Sequence, residues 1–183
     1  MRSRFTPTMA AAALAFATAT ALSAAPAQAA TVGGNNNWSC IPSAAHPEPV
    51  VVLHGLGATY YEDLNFLQAN LAGKGYCTFS LTYGNPDGFP YVGGLKAIAQ
   101  SAPQIKAFVQ RVLAATGAPK VDLVGHSEGA FQALYVTKTQ GISAQIAKVV
   151  AIAPPTHGTS FARLYTLAYL FGIRGMVDSA IKQ

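Results

Sequence analysis

Apolar residues along the chain fall into short continuous runs, and between the runs they recur every three or four positions. Val50 to Leu53, Tyr76 to Tyr83, Val121 to Val124 and Ile146 to Ala153 are the runs. Their length and their β-branched and aromatic content predict strands buried on both faces. After the first run, Tyr61, Leu64, Leu67 and Leu71 keep helical spacing, and Gly73 and Gly75 supply a stop. Gly84-Asn85-Pro86-Asp87-Gly88 ends the second strand in a loop. Ser101 with Gln104 matches a capping box with Pro103 in its first turn, and Ile105, Phe108, Val109, Val112 and Leu113 then form one face of the best-defined helix. Phe131, Leu134 and Tyr135 predict the buried face of a further helix, and Pro154-Pro155 closes the last strand. Strands alternating with helices predict an α/β fold, a mostly parallel sheet covered on both faces and doubly wound through right-handed crossovers.

The two ends read differently. Arg2 and Arg4, the alanine-rich stretch Met9 to Ala25 and Ala27-Gln28-Ala29 have the pattern of a cleaved export signal over residues 1–29, which predicts a secreted protein. Residues 30–48 are polar and turn-rich and read as a surface lead-in; residues 49–183 hold the α/β unit. No other stretch is long and apolar enough to span a bilayer. The formal net charge of +5 falls by two when Arg2 and Arg4 leave. The remaining basic residues are scattered singly, which argues against a nucleic-acid partner. Cys40 and Cys77 are the only cysteines. In an exported chain such a pair predicts a disulfide, two buried thiols being the alternative, and without clustered histidines it does not make a metal site.

Chemistry concentrates in Gly125-His126-Ser127-Glu128-Gly129. A G-x-S-x-G string arises by chance in a chain with 17 glycines, but here it follows an apolar run and opens a helix-compatible segment. That context predicts a sharp turn lifting the Ser127 hydroxyl clear of the sheet as a nucleophile. The first strand also runs into a glycine-rich loop, His54-Gly55-Leu56-Gly57. Its Leu56 N–H, with the N–H of Glu128 after the serine, would complete an oxyanion hole.

Several stretches carry a resemblance: Val52-Leu53-His54-Gly55 with Gly57-Ala58-Thr59, Gly75-Tyr76-Cys77, Ser101-Ala102 with Ala114-Ala115-Thr116-Gly117-Ala118, Val121 through Ser127, and Ala153-Pro154 with His157-Gly158-Thr159. From about Asn37 to Thr159 the chain resembles the exported class 2 lipases of actinobacteria, within the α/β-hydrolase fold. The resemblance implies hydrolysis of acylglycerols or simpler lipid esters by a serine nucleophile without a cofactor. Two departures stand at the elbow, where the family usually has glutamine for Glu128 and glycine for Ala130. An inward-pointing Glu128 carboxylate would repel a forming oxyanion.

In this fold the acid and the histidine base follow the nucleophile in that order. Beyond Glu128 the chain offers only His157 and then Asp178, reversed in order. His157 as base, oriented by Asp178, would need a rewired site. The alternative expectation is a chain incomplete at the C-terminal end of the fold, holding the nucleophile but not the triad's acid and base. It would then be an esterase or lipase of low activity, a non-catalytic ester-binding remnant, or an acyltransferase built on the same elbow. The apolar stretch Phe161 to Val177 would line an acyl pocket or form an ordinary core helix.

Overall fold

The four apolar runs become four parallel strands in the computed structural model, which describes residues 35–158: β1 (Val50–Leu53), β2 (Thr78–Leu81), β3 (Val121–His126) and β4 (Ile146–Ile152), in the order β2-β1-β3-β4. The export signal, the stretch 161–177 and Asp178 lie outside the described residues. Helix α1 (Asn65–Gly73) covers one face of the sheet, where Leu64, Leu67 and Leu71 pack on Val50, Val52 and Val124. Helices α2 (Ile98–Thr116) and α3 (Glu128–Thr139) cover the other, enclosing Val51, Leu53, Phe79, Leu123, Ile105, Val109, Ala133 and Val136. Alternate residues of β1 thus serve opposite cores, which is why its sequence is a continuous run of Val and Leu.

The lead-in is pinned to the β2 edge. Asn36 brackets Ser80, accepting from its N–H at 2.7 Å and donating to its carbonyl at 3.0 Å. Trp38 packs against Phe79 and Phe108, with the Arg111 guanidinium 3.9 Å above its ring. Cys40 and Cys77 form the disulfide, closing a loop of 37 residues in sequence. Reduction is expected to cost about 3–4 kcal/mol, read as a lowered urea midpoint with dithiothreitol; unchanged midpoints would show that packing alone holds this segment.

Three expectations are corrected. Ser101 does not cap a helix: α2 starts at Ile98, Ser101 is fully buried within it, and the Gln104 amide oxygen instead accepts from the Gly84 N–H at 3.0 Å. The interior demand for a small buried residue beside the Gly84 loop outweighs the local capping pattern. Tyr61 lies in the loop before α1 and is exposed. The buried face of α3 is Gly129, Ala130, Gln132, Ala133 and Val136, with Leu134 exposed, because only small residues let this helix approach β1 and β3 closely.

Candidate active site

The strand order places a crevice where the chain changes direction. From β1 it crosses by α1 to β2 on one side, and from β3 it crosses by α3, on the opposite face, to β4 on the other side. Loops leaving the carboxyl ends of two such strands diverge and leave an opening between them. Leu53 is in register with Gly125, so His54-Gly55 and His126-Ser127 flank that opening. A Cβ added at Gly55 would stand 3.4 Å from the Ser127 Cβ.

Ser127 occupies the turn between β3 and α3 with φ 52° and ψ −119°. A side chain at positive φ is strained. The surroundings hold it there: its N–H donates to the Ile152 carbonyl at 2.9 Å, and its carbonyl accepts from Ala130 and Phe131 at 3.1 and 3.2 Å. A Cβ on Gly125 would strike the Gly129 carbonyl, and one on Gly129 would strike the carbonyls of Leu53 and His54. Both motif glycines are therefore required by close backbone approach. Ser127 is half-buried, and its hydroxyl makes no hydrogen bond among the described residues. Ser127→Gly should relieve the strain and raise stability by about 1 kcal/mol in thermal or urea unfolding, whereas Ser127→Ala should not; equal effects would remove the case for strain.

The loop opposite is held by His54. A carbonyl only accepts, so Nδ1–H donates to the Gly55 carbonyl at 2.8 Å, leaving Nε2 to accept from the Tyr83 N–H at 3.3 Å. Tyr83 stacks on the imidazole at 4.3 Å between centroids and donates its hydroxyl to the His54 carbonyl at 2.6 Å. Burial holds the His54 pKa below its usual range, against the raising effect of the Gly55 contact, so the ring stays neutral in the tautomer the loop needs. Gly57 N–H donates to the Gly93 carbonyl at 2.9 Å and Gly93 N–H to the Ala58 carbonyl at 2.8 Å. The N–H groups of Leu56 and Glu128 donate no hydrogen bond among the described residues.

Sequence reasoning missed Asp63. One carboxylate oxygen accepts from the Gly55 N–H at 2.6 Å and the other lies 2.7 Å from His126 Nδ1. The side chain thereby bridges the glycine loop and the residue before Ser127, from a backbone at φ 69°. Nothing in its sequence setting, an acidic residue in a polar loop, marks it.

Glu128 points inward, as the departure from glutamine raised for concern. It is 7% exposed and neither carboxyl oxygen has a hydrogen-bond partner. A Cβ placed on Gly94 would lie 2.7 Å from Glu128 Oε2 and 3.1 Å from the Leu56 Cα, so the carboxyl and the glycine loop share one corner. Burial raises its pKa to about 8, and the Gln132 amide, already donating to the Ile98 carbonyl at 3.3 Å, opposes this only in part. At pH 7 the group is mainly the neutral acid, which removes most of the expected repulsion.

His157 is exposed beyond β4, its Nδ1 3.2 Å from Thr156 Oγ1, and no hydrogen bond joins it to Ser127. Among the described residues no group of three or more His, Cys, Asp or Glu could hold a metal ion, and no helix is long and apolar enough to cross a membrane.

The model of the family Lipase (class 2) matches residues 47–164. A triacylglycerol lipase of Pseudarthrobacter phenanthrenivorans is 34% identical over 125 residues, which are 65% of this chain and 36% of that protein. One of Burkholderia plantarii is 34% identical over 125 residues, 65% of this chain and 32% of its own. The chain thus spans about a third of the length of these relatives. The mature form of the Bacillus licheniformis lipase BlEst2 superposes with a TM-score of 0.55 at 22% identity, covering 77% of this chain and 57% of that one. Its propeptide form gives 0.56 at 22%, covering 75% and 30%. These superpositions bear on the fold, which is that of the α/β-hydrolases. With more than half of its length matched by the family model, the chain belongs to the class 2 lipases.

Proposed function

We propose that the chain supplies the nucleophile and oxyanion hole of a secreted carboxylic-ester hydrolase acting on acylglycerols or simpler lipid esters. Ser127 Oγ attacks the acyl carbon, and the N–H groups of Leu56 and Glu128 receive the negative oxygen. The observation that carries this reading is the pair of unengaged N–H groups in the two loops that flank one crevice, with Ser127 strained between them. Triacylglycerol lipase relatives at 34% identity support the substrate class.

A serine hydroxyl attacks poorly until a base takes its proton. Among the described residues neither that base nor its acid is joined to Ser127, His157 being exposed and unconnected to it. The relatives' greater length is consistent with their lying outside these 183 residues.

Two measurements test it. A fluorophosphonate probe should label Ser127, located by peptide mass spectrometry, and labelling should vanish in Ser127→Ala; adducts elsewhere, or none, would defeat the assignment. Turnover of a short p-nitrophenyl ester should be barely above background and unaffected by His157→Ala. Robust turnover that depends on His157 would establish the rewired dyad instead.

A further inference from the structure

We infer that the Glu128 side chain, and not its backbone N–H alone, controls the reaction at Ser127: the crevice accepts a negative oxygen while the Glu128 carboxyl holds its proton and rejects one when the carboxyl is ionised, a condition that rests on Ser127, Leu56 and Glu128 acting as proposed above.

Glu128 opens α3 directly after Ser127, so an oxyanion-hole donor and a carboxyl leave the same residue. The side chain turns into the protein, where water does not screen it. A Cβ on Gly94 would meet both Glu128 Oε2 and the Leu56 Cα. The carboxyl is thereby within about 6 Å of the backbone of the other donor, a distance at which an anion in surroundings of intermediate polarity slows the growth of a second negative charge by about 100-fold. Such a charge grows at this point: attack by Ser127 Oγ forms the Oγ–C bond, moves the carbonyl electron pair onto its oxygen and releases the hydroxyl proton to solvent.

The surroundings are built for the neutral acid. Neither carboxyl oxygen has a hydrogen-bond partner, and the buried Gln132 Oε1, one turn on along α3, has none either. An amide oxygen only accepts, and so does a carboxylate, so the protonated acid is the form that can satisfy it. No ion pair among the described residues includes Glu128. From the loop after β1 it is faced by His54, kept neutral by burial, and by Asp63, whose carboxylate is turned to Gly55 and His126. From the loop after β2 it is faced by Tyr83, whose hydroxyl is pushed well up by burial and then by Glu128 itself. Lys96 of that loop pairs with Asp87, and on α2 Lys106 donates to the Gln140 carbonyl while Arg111 lies over Trp38. Tyr135 and Lys138 stand toward the far end of α3.

The test is the rate of fluorophosphonate labelling of Ser127 in wild type and in Glu128→Gln from pH 6 to 9, normalised at each pH to the folded fraction read by near-ultraviolet circular dichroism. The carboxyl, titrating at about 8, passes over this range from almost wholly neutral to about one-tenth neutral. The rate of the variant relative to wild type should therefore rise about tenfold. Taking the ratio cancels every titration the two proteins share, that of His126 included. A ratio constant with pH, with Ser127 labelled in both proteins, would overturn this proposal and leave the serine reading standing. No label in either would defeat the serine reading and this proposal with it. The ¹⁵N amide shifts of Leu56 and Glu128 supply a second readout that needs no nucleophile. In Ser127→Ala both should titrate with one midpoint near 8. Amides that do not move, or that move only below pH 6, would overturn the proposal even should Glu128→Gln fail to fold.

Discussion

Replacing Glu128 with glutamine is expected to stabilise the protein at pH 9 by on the order of 4 kcal/mol and to change little at pH 4. The folded carboxyl titrates at about 8, against 4.5 for the ordinary group. Below pH 4.5 both folded and unfolded chains hold the proton, and burying the neutral acid carries no ionisation penalty. As pH rises from 4.5 toward 8, the unfolded chain releases the proton while the folded chain retains it, so folding stability falls across this window. Above 8 both states are ionised and the loss is complete. Glutamine does not titrate, so urea unfolding from pH 4 to 9 should give curves for wild type and Glu128→Gln that diverge with pH. Parallel curves would mean that Glu128 is solvated, and that the corner it shares with Leu56 is open to water.

Gly129→Ala is expected to destabilise by about 4 kcal/mol or more, enough to lose soluble protein at 37 °C. The added carbon would strike the backbone carbonyls of Leu53 and His54, and backbone at the end of a buried strand has no rotamer with which to yield. Two other glycines serve as controls. A Cβ at Gly73 meets nothing within 4 Å, and Gly73→Ala at the end of α1 should be neutral or mildly stabilising. Gly117 also has open space but sits at φ 68°, so its alanine variant should cost only about 1 kcal/mol of backbone strain. Thermal melts ranking Gly129→Ala far below both would confirm that helix–strand contact, not conformation, is what the motif glycine serves; similar losses at positions 117 and 129 would deny it.

Legibility in the sequence followed the range of the forces involved. The strands were readable because a parallel strand covered on both faces must be apolar at nearly every position, as Val50 to Leu53 is. The end of α2 at Gly117 was readable because its left-handed backbone favours glycine. Ser101 misled because capping is a weak local preference, and burial beside the Gly84 loop overrode it. The face of α3 is not legible in the sequence because large apolar residues signal burial, whereas a helix lying against a sheet at backbone contact buries glycine and alanine. Asp63 was invisible because its partners, Gly55 and His126, come from different loops.

The elbow motif, the glycine loop, the candidate nucleophile and the pairing of Cys40 with Cys77 were all present in the order of residues, since each depends on residue type within a short window or on a count of two. That the loops meet depends on the strand order β2-β1-β3-β4, which sets Leu53 beside Gly125. The inward turn of Glu128 and the Asp63 bridge belong to the same class of feature. Each arises from contacts between segments far apart in the chain, and such contacts exist only once the sheet has assembled.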